Sequence, residues 1–408
     1  MSQLPLGQPL LPILPSGPTL VAAKGCDCNT CPFYINNPAA VEPVCSGRNT
    51  NCSWCSCSVR VAHNPQPMEQ SVCKTTACGV RCGSRPDIGL WSAGAGGTMA
   101  FDDISLRRFD WPELGHYVPL LDSSSAAEKA HQRLQWPAFG VPLRRVLSRV
   151  PGPAGTELKT QGRWETQGAH AALGLDENQH AVLIGYSPDS LIERFWERRH
   201  ADGLIRKIAA MGFDLVTTPD YSVYSDQPRA EHLLNMRRSM VVAQELSDAG
   251  CNVAPSIYWY RREDLDRWAQ WIGETGPVAV MIPRHTIKGN QEWRDLSEPG
   301  LLYLAAMMDR AGVDTKVLVS GVSKHDRVQQ LGNWFGDRLV IVSQQALQLA
   351  SQGRRATPTG REKSDAHRSD LMAANLRHYD QAVRDAIANR VLTSSAAQPT
   401  ITSHTGTE

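Results

Sequence analysis

Ten of the eleven cysteines fall between Cys26 and Cys82, and six of them form two near-mirror clusters, Cys26-x-Cys28-x-x-Cys31 and Cys52-x-x-Cys55-x-Cys57. Such close spacing lets one tight loop present two or three thiolates to a single ion, whereas disulfide partners are usually well separated along a chain. Cys45, Cys73, Cys78 and Cys82 remain as closing ligands. The expected chemistry is therefore a metal-stapled module, with zinc or an iron–sulfur cluster as the occupant, since both take four thiolates. His63 is a further candidate zinc ligand, although a single loop histidine is more often simply solvated. A secreted disulfide scaffold is the competing reading of an even number of cysteines in a short segment. Against it, residues 1–20 lack a basic n-region and are interrupted by Pro5, Pro9, Pro12, Pro15 and Pro18, which suits neither a signal peptide nor an anchor. No apolar run approaches membrane-spanning length, so a cytoplasmic protein without membrane contact is expected.

The second chemistry-bearing string is Pro219-Asp220-Tyr221-Ser222-Val223-Tyr224-Ser225-Asp226-Gln227-Pro228. Two carboxylates near one pocket can divide labour, one acting as nucleophile or base and the other partly protonated. Asp220 and Asp226 are the candidate pair, with Asp189 as a further proton carrier. The bland alternative has Asp220 capping a loop and Asp226 starting a helix. Candidate substrate contacts are Tyr221, Tyr258 or Trp259 for stacking, Asn235, Gln344 or Gln345 for edge hydrogen bonds, and Arg238, Arg284 and Lys324 for phosphate.

These residues need elements to hold them. Short apolar runs at His116–Leu121, Ala181–Tyr186, Asp214–Thr218, Asn252–Tyr258, Pro277–Ile282, Thr315–Ser320 and Arg338–Ser343 read as strands, with an eighth near Val141–Val150. Amphipathic stretches such as Ala230–Ala249 and Gly300–Ala311, each closed by a glycine turn, read as the intervening helices. Continuous apolar strands alternating with helices indicate a parallel sheet covered on both faces. Eight of them favour a (β/α)8 (TIM-like) barrel over an open sheet. In such a barrel the chemistry gathers where strands end and βα loops begin. Those ends here carry Asp189, Asp220, Tyr258, Trp259, Arg284, His285, Lys324 and Gln344. The organisation expected is a Pro-rich disordered lead (1–24), a Cys-rich metal-binding module (25–95), the α/β barrel (100–350), and a C-terminal helix with a disordered tail (352–408). With 42 Lys+Arg against 41 Asp+Glu the net charge is +1, so bulk charge gives no argument for nucleic acid, and the paired arginines read as solvated helix faces. Cys251, Trp268, Trp271, Met307 and Met308 read as packing.

Over residues 190–320 the spacing of Pro219-Asp220-Tyr221-Ser222-x-Tyr224-x-Asp226-x-Pro228, Asn235-x-x-Arg238-Ser239 and Gly250-x-x-Val253-x-Pro255-Ser256-x-x-Trp259 resembles an uncharacterised domain family of phages and mobile elements, which implies no function. Cys26-Asp27-Cys28-Asn29-Thr30-Cys31, together with a barrel ending in 340–354, is similar to the guanine transglycosylase superfamily. That resemblance implies a (β/α)8 barrel, zinc, and exchange of guanine for a 7-deazaguanine base in nucleic acid, which is DNA in the phage and bacterial relatives. The chain departs from that pattern in two ways: its cysteine motif precedes the barrel, and Ser343 and Gln344 stand where a late strand-end aspartate is expected. On this reading Asp220 attacks C1′ of a flipped nucleotide, and Asp226 or Asp189 moves the proton. The alternative from a different class is a non-catalytic, metal-stapled nucleic-acid-binding or replication accessory protein, with Arg48, Arg60, Lys74, Arg81 and Arg85 on phosphates.

Overall fold

The computed structural model describes Pro38 and residues 94–390, apart from 123–130, 132–133, 153–154, 224–228 and 288. The cysteines proposed as metal ligands, Cys26, Cys28, Cys31, Cys45, Cys52, Cys55, Cys57, Cys73, Cys78 and Cys82, lie outside the described residues, as do Asp226 and the tail after 390.

Twelve strands and nine helices of seven residues or more organise the described chain. The strands are β1 (Tyr117–Pro119), β2 (Ala138–Pro142), β3 (Leu147–Gly152), β4 (Gly155–Thr160), β5 (His180–Ile184), β6 (Leu215–Thr217), β7 (Val253–Ala254), β8 (Ala279–Pro283), β9 (Lys316–Ser320), β10 (Leu339–Ser343), β11 (Arg354–Thr357) and β12 (Gly360–Lys363). The helices are α1 (Gly162–Leu173), α2 (Asp189–Arg198), α3 (Leu204–Ala210), α4 (Arg229–Asp248), α5 (Arg262–Thr275), α6 (Glu298–Ala311), α7 (His325–Phe335), α8 (Gln345–Ser351) and α9 (Arg368–Ala388).

This is an α/β fold with parallel sheets. One four-stranded sheet runs β1-β10-β9-β8 and the other β2-β5-β6-β7. Parallel bridges Leu120↔Gly140 and Ser256↔Met281 join their edges, so the eight strands pair in a ring. The period of two along each strand then sorts the apolar side chains. Val118, Leu120, Ala138, Val182, Ile184, Leu215, Ala254, Ala279, Met281, Leu318, Val340 and Val342 form one cluster within the ring, with Leu114 packed among them and Phe109 and Trp111 against them. The alternate residues, such as Leu183, Val216, Val280, Val319 and Ile341, join the larger cluster under the helices. Trp268, Trp271, Met308 and Cys251 are buried in that outer layer.

Three sequence-based expectations are corrected in detail. The ring strand in the 140s is Ala138–Pro142, whereas Leu147–Gly152 pairs antiparallel with β4 in a separate hairpin. The apolar run 252–258 forms ladder only at Val253–Ala254 and a bridge at Ser256, because Pro255 has no N–H to give. The polar stretch after Gln352 contains a second hairpin, β11–β12, before the expected helix.

Two glycines let the strand ends approach closely enough to build a site. A Cβ on Gly185, just after β5, would meet the Thr218 carbonyl oxygen at 1.8 Å, and the Gly185 carbonyl accepts from the Asp220 N–H at 3.1 Å. Gly321, just after β9, has φ +78° and a Cβ there would lie 2.2 Å from the Cα of His285. Gly185→Ala is expected to destabilise the fold by about 1–3 kcal/mol, the cost of forcing atoms into a filled site. A lowered urea midpoint at unchanged m-value is the readout; an unchanged midpoint would contradict this packing.

Candidate active site at the strand ends

The period that fills the ring continues past the strands. From Ala254 and Ser256 the next inward position is Tyr258; from Met281 and Pro283 it is His285; from Val182 and Ile184 it is Tyr186. Each lies beyond the C-terminal end of its strand, where loops replace the ladder. They meet around Asp220, which follows β6 and is only 4 % exposed.

The Asp220 carboxylate accepts hydrogen bonds on Oδ1 from the Tyr258 hydroxyl and from Ser222 Oγ, the latter at 3.3 Å. Its Oδ2 lies 3.3 Å from His285 Nε2. The His285 ring stands edge-on to Tyr186 at 4.3 Å between centroids, and the Arg144 guanidinium lies 4.9 Å from the centre of the Tyr186 ring. Arg144 is paired in turn with Asp122, just beyond β1. The backbone beneath Asp220 is fixed by a hydroxyl network. Thr218 Oγ1 accepts from the Ser256 N–H at 2.7 Å and lies 2.9 Å from Ser239 Oγ, which donates to the Ser256 carbonyl at 2.6 Å. The Tyr258 carbonyl accepts from Trp268 Nε1 at 2.6 Å.

Burial pushes the His285 imidazole below its ordinary 6.5; the Asp220 carboxylate works against that shift, and the Arg284 and Arg144 cations add to it. The ring is thus neutral near pH 7 and can accept a proton. Its Nδ1 is buried without a hydrogen-bond partner. Burial likewise pulls the Arg284 guanidinium down to about 10, with Tyr258 and Asp220 pulling the other way; it stays protonated at neutral pH.

The other residues singled out from the sequence are placed as follows. Tyr221 is buried beneath Arg238, whose guanidinium carbon lies 4.4 Å from the ring centre. Arg238 is fully buried in a two-pronged pair with Glu193 at 2.7 and 2.8 Å, and it also donates to Asn235 Oδ1. Asn235 Nδ2 donates to the Ser222 carbonyl, so both side chains support the loop carrying Asp220. Trp259 is buried with Arg284 stacked on it at 3.9 Å. Asp189 sits half-buried at the first turn of α2. Lys324 is exposed and donates to Asn290 Oδ1, and Gln344 is the half-buried residue before α8. Asp220 and Arg284 are therefore brought to one place, while Tyr221, Asn235 and Arg238 form a brace behind it. Tyr258, a stacking candidate from the sequence, is at the site, whereas His285, Tyr186 and Arg144 were not chosen from the sequence; the available signal was the extension of the inward period beyond each strand.

Among the described residues no cluster of three or more His, Cys, Asp or Glu side chains could hold a metal ion, and no helix is long and apolar enough to cross a membrane. A wide cleft of roughly 1000 Å³ lined by Arg107, Trp111, Asn252, Thr315 and Lys316 opens at the N-terminal ends of the strands, opposite the mouth. The carboxylate–imidazole pair, and not the cleft's size, marks the better candidate for chemistry.

Residues 169–328 match the model described as Domain of unknown function (DUF4417). The matched span runs from α1 to α7 and includes Asp220, Tyr258 and His285 but neither β1, β2 nor β10. No curated protein matches the chain. Among solved structures it is similar to an aldolase for 4-hydroxy-2-oxoglutarate and 2-dehydro-3-deoxyphosphogluconate from TTHB1 (11 % identity, 66 % of this chain and 94 % of that one, TM-score 0.36). It is also similar to a mandelate oxidase variant (9 %, 81 % and 94 %, TM-score 0.38) and to the flavin-binding domain of baker's yeast flavocytochrome b2 (16 %, 70 % and 67 %, TM-score 0.37). Likenesses of this order say nothing about activity.

Arg238→Met is expected to cost about 3–5 kcal/mol, because it takes the two-pronged partner from the buried Glu193 carboxylate. Replacing both, as Arg238→Met with Glu193→Leu, should restore most of that loss in a denaturant titration. A single variant as stable as the parent would show that Arg238 is not a brace.

Proposed function

We propose that the protein is an enzyme whose active site is the Asp220–Tyr258–His285 cluster at the mouth of a (β/α)8-like barrel, and that its chemistry is general acid–base catalysis. The observation that carries this reading is an imidazole 3.3 Å from a buried carboxylate that is itself fixed by a phenol. In that arrangement Asp220 orients His285 through Nε2 and stabilises the imidazolium formed when His285 takes a proton from substrate. Nδ1, the ring nitrogen without a protein partner, is the atom that receives it. Tyr258 holds the carboxylate from its other side.

The pH behaviour has a definite sign. A histidine depressed in the folded state binds its proton more readily when unfolded, so stability falls as pH drops below the unfolded value near 6.5. Nuclear magnetic resonance titration of the His285 ring is expected to give a value below 6.5 in the parent, and a still lower one in Asp220→Asn, which removes the counter-charge. A His285 value at or above 6.5, unmoved by Asp220→Asn, would remove the acid–base reading. Once a substrate is found, His285→Gln should lower kcat about 10²–10⁴-fold and abolish the acidic limb of the rate profile.

A second reading uses the same carboxylate as nucleophile in guanine–7-deazaguanine exchange on DNA. It is favoured by Asp220 lying at the strand ends in contact with Tyr258. Tyr258 takes the stacking role, since Tyr221, Trp259 and Tyr186 each have an arginine over the ring. Incubation with guanine-containing DNA and a labelled deazaguanine should yield a trapped adduct that Asp220→Asn abolishes; equal labelling in that variant sinks this reading. In both readings the Cys-rich segment 25–95 serves as a thiolate-held zinc or iron–sulfur module, supported by its cysteine spacing. Metal analysis of anaerobically purified protein is expected to find zinc in colourless protein, and a brown protein rich in iron would instead assign the cluster.

A further inference from the structure

Several buried arginines of this fold are paired with carboxylates. Arg238 has Glu193, Arg199 has Glu245, Arg338 has Asp309 and Arg144 has Asp122. Arg284 is held differently. It is 7 % exposed, yet among the described residues no carboxylate lies within ion-pair distance. One Nη1 hydrogen is used on the neighbouring Pro283 carbonyl at 2.7 Å, and the flat face is stacked on Trp259 at 3.9 Å. Nε is buried with no acceptor, and none of the described residues accepts from Nη2. The edge left over therefore carries two parallel N–H donors, the fork that matches two oxygens of one carboxylate or phosphate.

A buried cation without a counter-ion is costly, and leaving its donors unmet adds to the cost. A bound anion would meet both costs at once. Arg284 follows β8 directly and immediately precedes His285, so it stands at the same strand end as the reacting centre. We propose that Arg284 is the anion-recognition residue of the mouth, so that the substrate carries an oxyanion, carboxylate or phosphate, next to the atom on which Asp220 and His285 act. This deepens the acid–base reading and rests on it for the word substrate, but the anion site itself stands on the geometry of Arg284.

The test is binding of inorganic phosphate and of acetate to the full chain, by calorimetry at constant ionic strength set with sodium chloride. Saturable binding of at least one anion is expected. It should weaken about ten- to hundredfold in Arg284→Met, the worth of a charged forked hydrogen bond. Lys363→Met, on the exposed strand β12, should bind as the parent does, and Asp220→Asn should bind more tightly because a negative charge at the mouth is gone. Tighter phosphate than acetate assigns a phosphate-bearing substrate, and the reverse order a carboxylate. Should Arg284→Met fail to fold, Arg284→Lys is read in its place, since it keeps the charge but loses the fork and should still bind several-fold more weakly. No saturable binding of either anion, or equal binding when Arg284 is replaced, overturns the inference. Arg284-dependent binding in a protein whose His285 titrates at its ordinary value would uphold the anion site while removing the acid–base reading.

Discussion

A carboxylate buried to 4 % exposure must be met by donors, and those of Asp220 come from beyond three different strands: Ser222 after β6, Tyr258 after β7 and His285 after β8. That requirement organises the mouth of the protein. The three strands must end at one height and be drawn together, and the side chains one period beyond each strand must point inward. Parallel pairing around the ring supplies the common direction, and the pleat supplies the inward aim. Gly185 and Gly321 remove the two side chains that would keep the strand ends apart.

Around this cluster the fold uses arginine as framework. Arg237 reaches from α4 to the carbonyls of Ala95 and Ala100, tying the segment before β1 to the helical layer. Arg199 joins α2 to α4 through Glu245, and Arg238 joins the same two helices through Glu193. Arg327 donates to the Ile287 and Gly289 carbonyls and so holds the loop after His285. Buried arginines of this kind stabilise less by net attraction than by the penalty of breaking them, so they fix one arrangement of helices over its alternatives. For Arg284, by contrast, no carboxylate among the described residues lies within ion-pair distance, and its forked edge is left for an anion.

Much of the fold was legible in the sequence because its cause is local. Fully buried parallel strands must be continuous apolar runs, and their helices must be amphipathic with glycine closures, so seven of the eight ring strands could be read within a few residues. The strand in the 140s was misplaced because Ala138-Phe139-Gly140-Val141-Pro142 is short, carries glycine and proline, and is followed by a more β-like run that pairs elsewhere. At the site, Asp220 and Arg284 were visible as charged residues at the ends of apolar runs. Tyr221, Arg238 and Asn235 looked equally suited, since a sequence does not tell a charge facing a substrate from one facing a buried partner.

The sequence by itself determined the α/β class, the parallel strands, the strand-end positions of Asp220, Tyr258, Arg284 and His285, and a cysteine pattern fit for a thiolate centre. These follow from composition and period, which are properties of neighbours along the chain. Only the tertiary structure decided which charges cancel: Glu193 and Arg238 are far apart in sequence yet meet as a pair, whereas His285 meets Asp220 and Arg284 meets no carboxylate among the described residues. Pairing of that kind depends on distances across the ring and between helices, and those are set by packing once every strand is in place.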